Sequence, residues 1–226
     1  MQDYWLNGAT YNGPKKEGNW DLNLRDDKQA YYDTIFRAAH HYYYKDIKGL
    51  RRPPTNSFGK PKMRIRAHDG QNDEINGSHQ KDLRIFGVFA RIHLYNPQNS
   101  TSEIYATTIH ELAHASHWEL RKNNWNDNNL EEKVKESWAR GVQWELTRMV
   151  YPNYNVSEIR PKYSLVVKDM IDNDNSTEDL VTGYSIKQIE GALAGKKTWN
   201  EWKNNIKNLH NNANENNLDA LFTYWN

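Results

Sequence analysis

TTIHELAHASHW, residues 107–118, is the stretch around which this chain is organised. It contains His110 and His114, four residues apart, with Glu111 directly after the first histidine. On a helix, residues four apart lie one turn above each other, about 6 Å along the axis. The two imidazoles therefore project side by side and can reach one metal ion. Glu111 lies one position round the helix, so its carboxylate points at a water on the metal rather than at the metal itself.

Zinc chemistry suits this spacing. Zinc accepts imidazole nitrogens at about 2.0–2.1 Å, and its catalytic sites usually keep three protein ligands and one water. The ion lowers the pKa of that water, and Glu111 is the expected general base that takes its proton. The motif fixes only three letters, and a chain this rich in histidine contains it by chance in roughly one case in a hundred. The alternative is a helix whose two histidines pair with backbone groups or carboxylates.

The residues on either side of the motif predict a helix over about 101–122. Ser100 and Glu103 have the spacing of a capping box, which marks a helix start. An Asn-rich stretch at 123–129 follows, as expected beyond a helix end. Between these limits, residues suited to one buried face recur at helical spacing: Ile104, Thr108, Leu112 and Ala115.

A third metal ligand has to come from another part of the chain, and a second predicted helix at 131–149 offers one. Glu136 lies at the border of its apolar face, where a side chain can turn inward. Ala139 is small enough to let two helices approach closely. The apolar face itself consists of Val134, Trp138, Val142, Leu146 and Met149.

The pattern Glu-x-aromatic-Ala at 136–139, placed after the two-histidine helix, resembles the second helix of the gluzincin metallopeptidases. The resemblance covers roughly residues 84–150. It implies a zincin-type, HExxH zinc metallopeptidase, and it does not specify a substrate.

The resemblance also implies roles for individual residues. His110, His114 and Glu136 are the expected metal ligands, and Glu111 is the expected catalytic base. The alternative for Glu136 is a solvated surface carboxylate. Two neighbouring carboxylates are then the fallback ligands: Glu131 and Glu132.

The patterns predict an α+β fold, and the resemblance implies that residues 1–226 form a single zincin-like catalytic domain. A small mixed sheet from 62–95 packs on the metal helix, and the helix of 131–149 completes the site. A mostly helical C-terminal part, 152–226, forms the other wall of the cleft. Residues 1–25, rich in Gly, Asn and aromatic residues, are expected to be irregular.

Other segments follow from periodicity and from turn residues. Residues 69–79 are predicted to be a loop, and 152–184 mostly irregular. Further helices are predicted over 27–47, 186–194 and 199–210, with a short amphipathic segment at 218–225.

Two more features bear on a peptidase site. By the resemblance, 87–95 is the candidate strand whose edge pairs with the substrate backbone, and an ordinary core strand is the equal alternative. A donor that stabilises an oxyanion is also needed, and Tyr163, Tyr184 and His210 are the candidates. Tyr184 is preferred among them because it follows a glycine at a loop-to-helix turn, and the stronger alternative for it is a tyrosine that only packs. His117 lies about 10.5 Å along the axis from His110, so it is expected to pack or to support a ligand.

Composition excludes several classes of protein. The formal net charge is +1, which gives no reason to expect a nucleic-acid partner. There is no cysteine, so thiolate metal sites and disulfides are excluded. No apolar run approaches the 18 or so residues of a membrane span. The N-terminus lacks the features of an export signal, and the bias towards Asn, Tyr and Trp slightly favours an extracytoplasmic location.

The function expected from the sequence is zinc-dependent hydrolysis of peptide bonds in a peptide or protein substrate, with Glu111 activating a zinc-bound water. The alternative is a catalytically silent zinc-binding or peptide-binding domain on the same fold. Glu111 argues against that alternative, because a purely structural zinc site needs no base. A third hypothesis keeps the fold without any metal.

Overall fold

The computed structural model describes residues 27–54, 64–80, 91–121, 130–157, 161–173 and 180–226. The expectations for 1–25, for the Asn-rich stretch and for 87–90 lie outside these residues. The described chain is a mixed α+β structure with a small three-stranded sheet. Its elements are α1 (Asp27–Tyr44), β1 (Arg64–Ala67), β2 (Gly77–Gln80), β3 (Arg91–Leu94), α2 (Thr101–Arg121), α3 (Glu132–Thr147), α4 (Val166–Ile171), α5 (Ile186–Leu193), α6 (Trp199–Leu209) and α7 (Leu218–Tyr224).

Helix α2 contacts both α1 and α3, so it lies at the centre of the molecule. Its length agrees with the predicted helix of 101–122, and Ser100 Oγ accepts a hydrogen bond from the Glu103 backbone at 3.3 Å at its start. Ile109 and Leu112 are fully buried, as the periodic pattern requires. The buried faces of the two neighbouring helices supply the partners of α2: Tyr31, Ile35, Ala38 and Tyr42 from α1, and Val134, Trp138, Val142 and Leu146 from α3.

The described strands form a sheet in the order β1-β3-β2, with β1 parallel and β2 antiparallel to β3. The prediction that 69–79 is a loop is wrong for its last three residues, because β2 begins at Gly77. The prediction that 87–95 offers a substrate edge is wrong for β3, which is hydrogen-bonded on both sides and is a core strand. Among the described strands, β2 is the edge strand next to α2.

The C-terminal part is helical, as expected, and the bounds of α5, α6 and α7 lie within one residue of the predictions. The Ser185 and Thr198 capping boxes both form. One helix was missed: α4 lies in the segment 152–184 that was predicted to be mostly irregular. It packs on α3 where Gly141 leaves room, since a Cβ there would lie 2.2 Å from a Val167 methyl group.

The end of the chain is tied to this helical part by its tryptophans. Trp225 Nε1 donates to Asp169 Oδ2 at 2.6 Å, and Trp199 Nε1 donates to the Phe222 carbonyl at 2.9 Å. Within the described ranges, no helix combines the length and the apolar character that crossing a membrane requires.

Candidate metal centre

Helices α2 and α3 bring three ligand-type side chains together. His110 and His114 project from successive turns of α2, and their Nε2 atoms lie 3.1 Å apart. Glu136 reaches them from α3, with Oε2 at 3.2 Å from His110 Nε2 and 3.1 Å from His114 Nε2. Within the described residues, this is the one group of three or more His and acidic side chains close enough to share an ion.

The three atoms form a nearly equilateral triangle, and its size can be tested against zinc. Tetrahedral zinc with ligands at about 2.0–2.1 Å places neighbouring donor atoms about 3.3–3.4 Å apart. The observed separations of 3.1–3.2 Å are close to that spacing. Two imidazole nitrogens and one carboxylate oxygen are also a donor set that zinc accepts. The residues present therefore fit the ion in both geometry and chemistry.

The two fallback carboxylates are engaged elsewhere. Glu131 Oε2 accepts a hydrogen bond from the Trp199 backbone at 2.7 Å. Glu132 is exposed and pairs with Lys162 at 3.1 Å. Glu136 is thus the carboxylate of this stretch that joins the histidines.

Gln143 orients His110 from behind. His110 Nδ1 lies 3.1 Å from Gln143 Oε1, so an Nδ1–H donor leaves Nε2 free to face Glu136. Gln143 is itself held, because its Nε2 donates to the Tyr154 hydroxyl at 2.8 Å and its oxygen accepts from Arg140 at 3.3 Å. None of the sequence patterns described above singles out this residue. The available signal was its spacing, since Gln143 lies two helical turns after Glu136 on the same face of α3.

The electrostatics of the cluster favour bound positive charge. Burial opposes ionisation of Glu136, but the positive charge on His114 and hydrogen bonds from both imidazoles outweigh it, so the pKa of Glu136 is well below its usual range. Burial also opposes a charged His114, yet Glu136 raises the pKa of that imidazole above its usual value. Burial lowers the pKa of His110. The carboxylate therefore stays ionised and attracts a cation, whether a proton or a metal.

Glu111 lies beside the cluster and is only 5% exposed. Burial raises the pKa of its carboxyl to about 7, with His114 acting in the opposite direction and Glu136 in the same one. Part of that burial comes from β2. A Cβ built on Gly77 would lie 2.9 Å from both Cγ and Oε1 of Glu111 and 3.0 Å from a Thr107 methyl group. Only glycine lets the strand approach this closely, a role that the sequence analysis did not identify.

A cavity of about 240 Å³ opens over these groups. Tyr163 borders it, with its ring centroid 6.0 Å from that of His110. Tyr184 agrees with the packing alternative rather than with an oxyanion donor, because it is buried against His210, with ring centroids 6.4 Å apart, and neither residue lines the cavity. The lining consists of Gly77, Ser78, His79, His110, Glu111, His114, Lys135, Glu136 and Tyr163.

His117, the third histidine of the motif stretch, has no exposed surface, in keeping with a packing role.

Comparison of the chain with models of protein families, with curated proteins and with solved structures finds no match. The residues of the site are therefore the guide to its chemistry.

Proposed function

We propose that this protein is a zinc-dependent peptidase of gluzincin-like type, with His110, His114 and Glu136 as metal ligands and Glu111 as the catalytic base. One observation carries the proposal. The three donor atoms lie 3.1–3.2 Å apart, and the buried carboxyl group of Glu111 lines the same cavity. Glu111 is not one of the three donors, and it forms no ion pair with a described residue. A purely structural metal site needs no such group.

Each side chain has a separate task in this mechanism. A zinc ion held by the triangle would supply Lewis-acid chemistry, activating water and polarising a carbonyl. Glu111 removes a proton from the attacking water and returns it to the leaving amine. Burial raises the pKa of the Glu111 carboxyl above its usual range, which makes it a stronger base than an exposed glutamate.

Tyr163 is the donor proposed for the developing oxyanion. Its side chain lines the cavity, and burial raises the pKa of its hydroxyl to about 12, with Glu136 and Glu111 adding to that effect. The hydroxyl therefore keeps its proton at neutral pH and can donate a hydrogen bond to negative charge. The edge strand β2 borders the same cavity and is suited to align an extended peptide by backbone hydrogen bonds.

The test is hydrolysis of a mixed peptide library by zinc-loaded protein, compared with Glu111→Gln and with chelator-treated protein. We expect Glu111→Gln to keep bound zinc and to lose about 10²–10⁴-fold in rate, the usual contribution of a general base. Chelation should abolish hydrolysis, and added zinc should restore it. His210→Gln is the matched control, because His210 lies outside the cavity and should retain full activity.

Two results would refute the proposal. Hydrolysis that survives both Glu111→Gln and chelation would exclude this site as its source. Stoichiometric zinc without turnover of any peptide would indicate the alternative, a silent zinc-binding or peptide-binding domain.

A further inference from the structure

Lys135 is the lysine or arginine that borders the cavity. It precedes Glu136 on α3, is half-buried, and its charge is among those that act on His114. A lysine therefore lines the space in which a peptide would lie, and its charge is close enough to act on His114. Nothing in the proposed mechanism uses it.

The ammonium of Lys135 forms no ion pair and no hydrogen bond with any residue in the described part of the chain. Several other lysines of the described chain are paired with carboxylates. Lys187 pairs with Glu190 at 2.9 Å, and Lys162 pairs with Glu132 at 3.1 Å. Lys48 pairs with Glu145. Lys135 thus has an ammonium without a partner in the described residues, which leaves a charge-assisted hydrogen bond available to a ligand in the cavity.

The charges of the lining point to the sign of that ligand. A divalent ion in the triangle would balance the carboxylates of Glu136 and Glu111, and would leave no net negative charge when Glu111 is protonated either. Lys135 then remains as the one unbalanced charge among the ionised groups of the lining, and a cavity with one sign of charge concentrates ligands of the other sign.

We infer that Lys135 is a specificity-determining residue that selects peptides carrying a carboxylate within the cavity. The carboxylate comes from an acidic side chain next to the bond that is cut, or from the free C-terminus of the substrate. This inference rests on the proposed function and adds a substrate class to it. Lys135 makes no contact with the reacting atoms in this scheme.

The experiment measures binding rather than turnover, so that it does not depend on hydrolysis. Zinc-loaded Glu111→Gln protein is titrated by calorimetry with four short peptides of one sequence. They carry either Glu or Gln at the varied position, and each has either a free or an amidated C-terminus. We expect a peptide with the preferred carboxylate to bind about tenfold more tightly than its neutral counterpart, the effect of one charged hydrogen bond.

Substitutions then assign the preference to one side chain. Lys135→Met in the same background should reduce the preference to less than about twofold, and Lys135→Glu should reverse it. Lys45→Met is the matched control, because Lys45 is exposed at the end of α1 and borders no part of this cavity. Circular dichroism and zinc content verify that each variant is folded and loaded.

The arms of the experiment separate the two sources of the carboxylate. A preference that survives amidation identifies the acidic side chain, and one lost on amidation identifies the C-terminus. The inference is overturned if all four peptides bind equally or if none of them binds. It is also overturned if the preference is unchanged in Lys135→Met, or if it is lost in Lys45→Met. The proposed function fails separately, when protein with Glu111 intact binds acidic peptides and cleaves none.

Discussion

Two pairs of histidines meet in this molecule, and they have opposite properties. On α2, His110 and His114 bring their Nε2 atoms to 3.1 Å, with their rings nearly perpendicular at 85°. On the sheet, His68 Nε2 and His93 Nδ1 lie 2.8 Å apart, with their rings stacked at 21°. Close approach of two imidazoles is therefore common to both pairs and cannot by itself define a metal site.

The third group separates the two pairs. Glu136 completes the α2 pair at 3.1–3.2 Å and holds negative charge beside it. The sheet pair has Asp69 next to it in sequence, but that carboxylate is occupied by hydrogen bonds of 2.6 Å from Lys28 and from the Tyr32 hydroxyl. A carboxylate thus favours a cation only where its oxygens face the imidazoles.

The surrounding charges reinforce this difference. Burial, then His68, Arg66 and Arg91, lower the pKa of His93 to about 4. Tyr95 stacks on His68 with ring centroids 4.5 Å apart. The sheet pair is thus held neutral by burial and by cations, whereas the α2 pair faces an ionised carboxylate.

The largest expected effect is on zinc affinity. Glu136→Gln keeps the shape of the side chain but removes its charge, so zinc should bind more weakly by more than the roughly 10–100-fold that follows loss of an outer hydrogen-bond partner. His93→Gln, the matched change in the other pair, should leave zinc affinity within about twofold. Competition titration with a zinc indicator and metal analysis after dialysis measure both. Equal losses in the two variants would erase the distinction between the pairs.

Local periodicity was sufficient to predict the helices of the site. The buried residues of α2 and α3 repeat at 3.6-residue spacing, and both helices were placed within two residues of their observed ends. Helix geometry alone then aligned His110 with His114. Local patterns do not specify which helices pack together. The prediction that Glu136 joins the two histidines therefore also depended on the resemblance to a known helix pair.

The parts that were missed depend on contacts between distant segments. Strand β2 has the sequence Gly-Ser-His-Gln, with no apolar alternation, because β3 and α2 rather than its own side chains hold it in place. Helix α4 has only six residues, too few to show a period. Tyr184 was preferred to Tyr163 for its neighbouring glycine, yet packing on His210 decides its position.

The next effect concerns Gly77, where strand β2 approaches α2. Gly77→Ala should push on Glu111, because the new Cβ would lie 2.9 Å from its Cγ and Oε1. We expect the free energy of unfolding to fall by about 1–3 kcal/mol, as in other overpacked sites, and peptide hydrolysis to fall with it. Zinc affinity should change by less than about twofold, because the ligands belong to α2 and α3.

Gly70→Ala in the preceding loop is the control, since nothing lies within 4 Å of its Cβ position. Identical behaviour of the two variants would show that β2 does not constrain Glu111.

The smallest expected effect is a pH dependence of stability that belongs to the sheet pair. The pKa of His93 is lowered from 6.5 to about 4, with burial as the main cause. In the unfolded chain His93 therefore binds a proton below about pH 6.5, whereas in the folded protein it binds one only below about pH 4. Between these values His93 destabilises the fold progressively as the pH falls. Between pH 7 and 5.5 this amounts to about 1 kcal/mol for one such group.

Urea unfolding of chelator-treated protein at both pH values measures it, and His93→Gln should lose less stability on acidification than the wild type by that amount. The difference between wild type and variant is needed because His114 and Glu111 titrate near this range too, and their contributions, which are common to both proteins, cancel in the difference. An identical loss in the two proteins would mean that His93 is not held neutral, and the contrast between the histidine pairs would then rest on Glu136 alone.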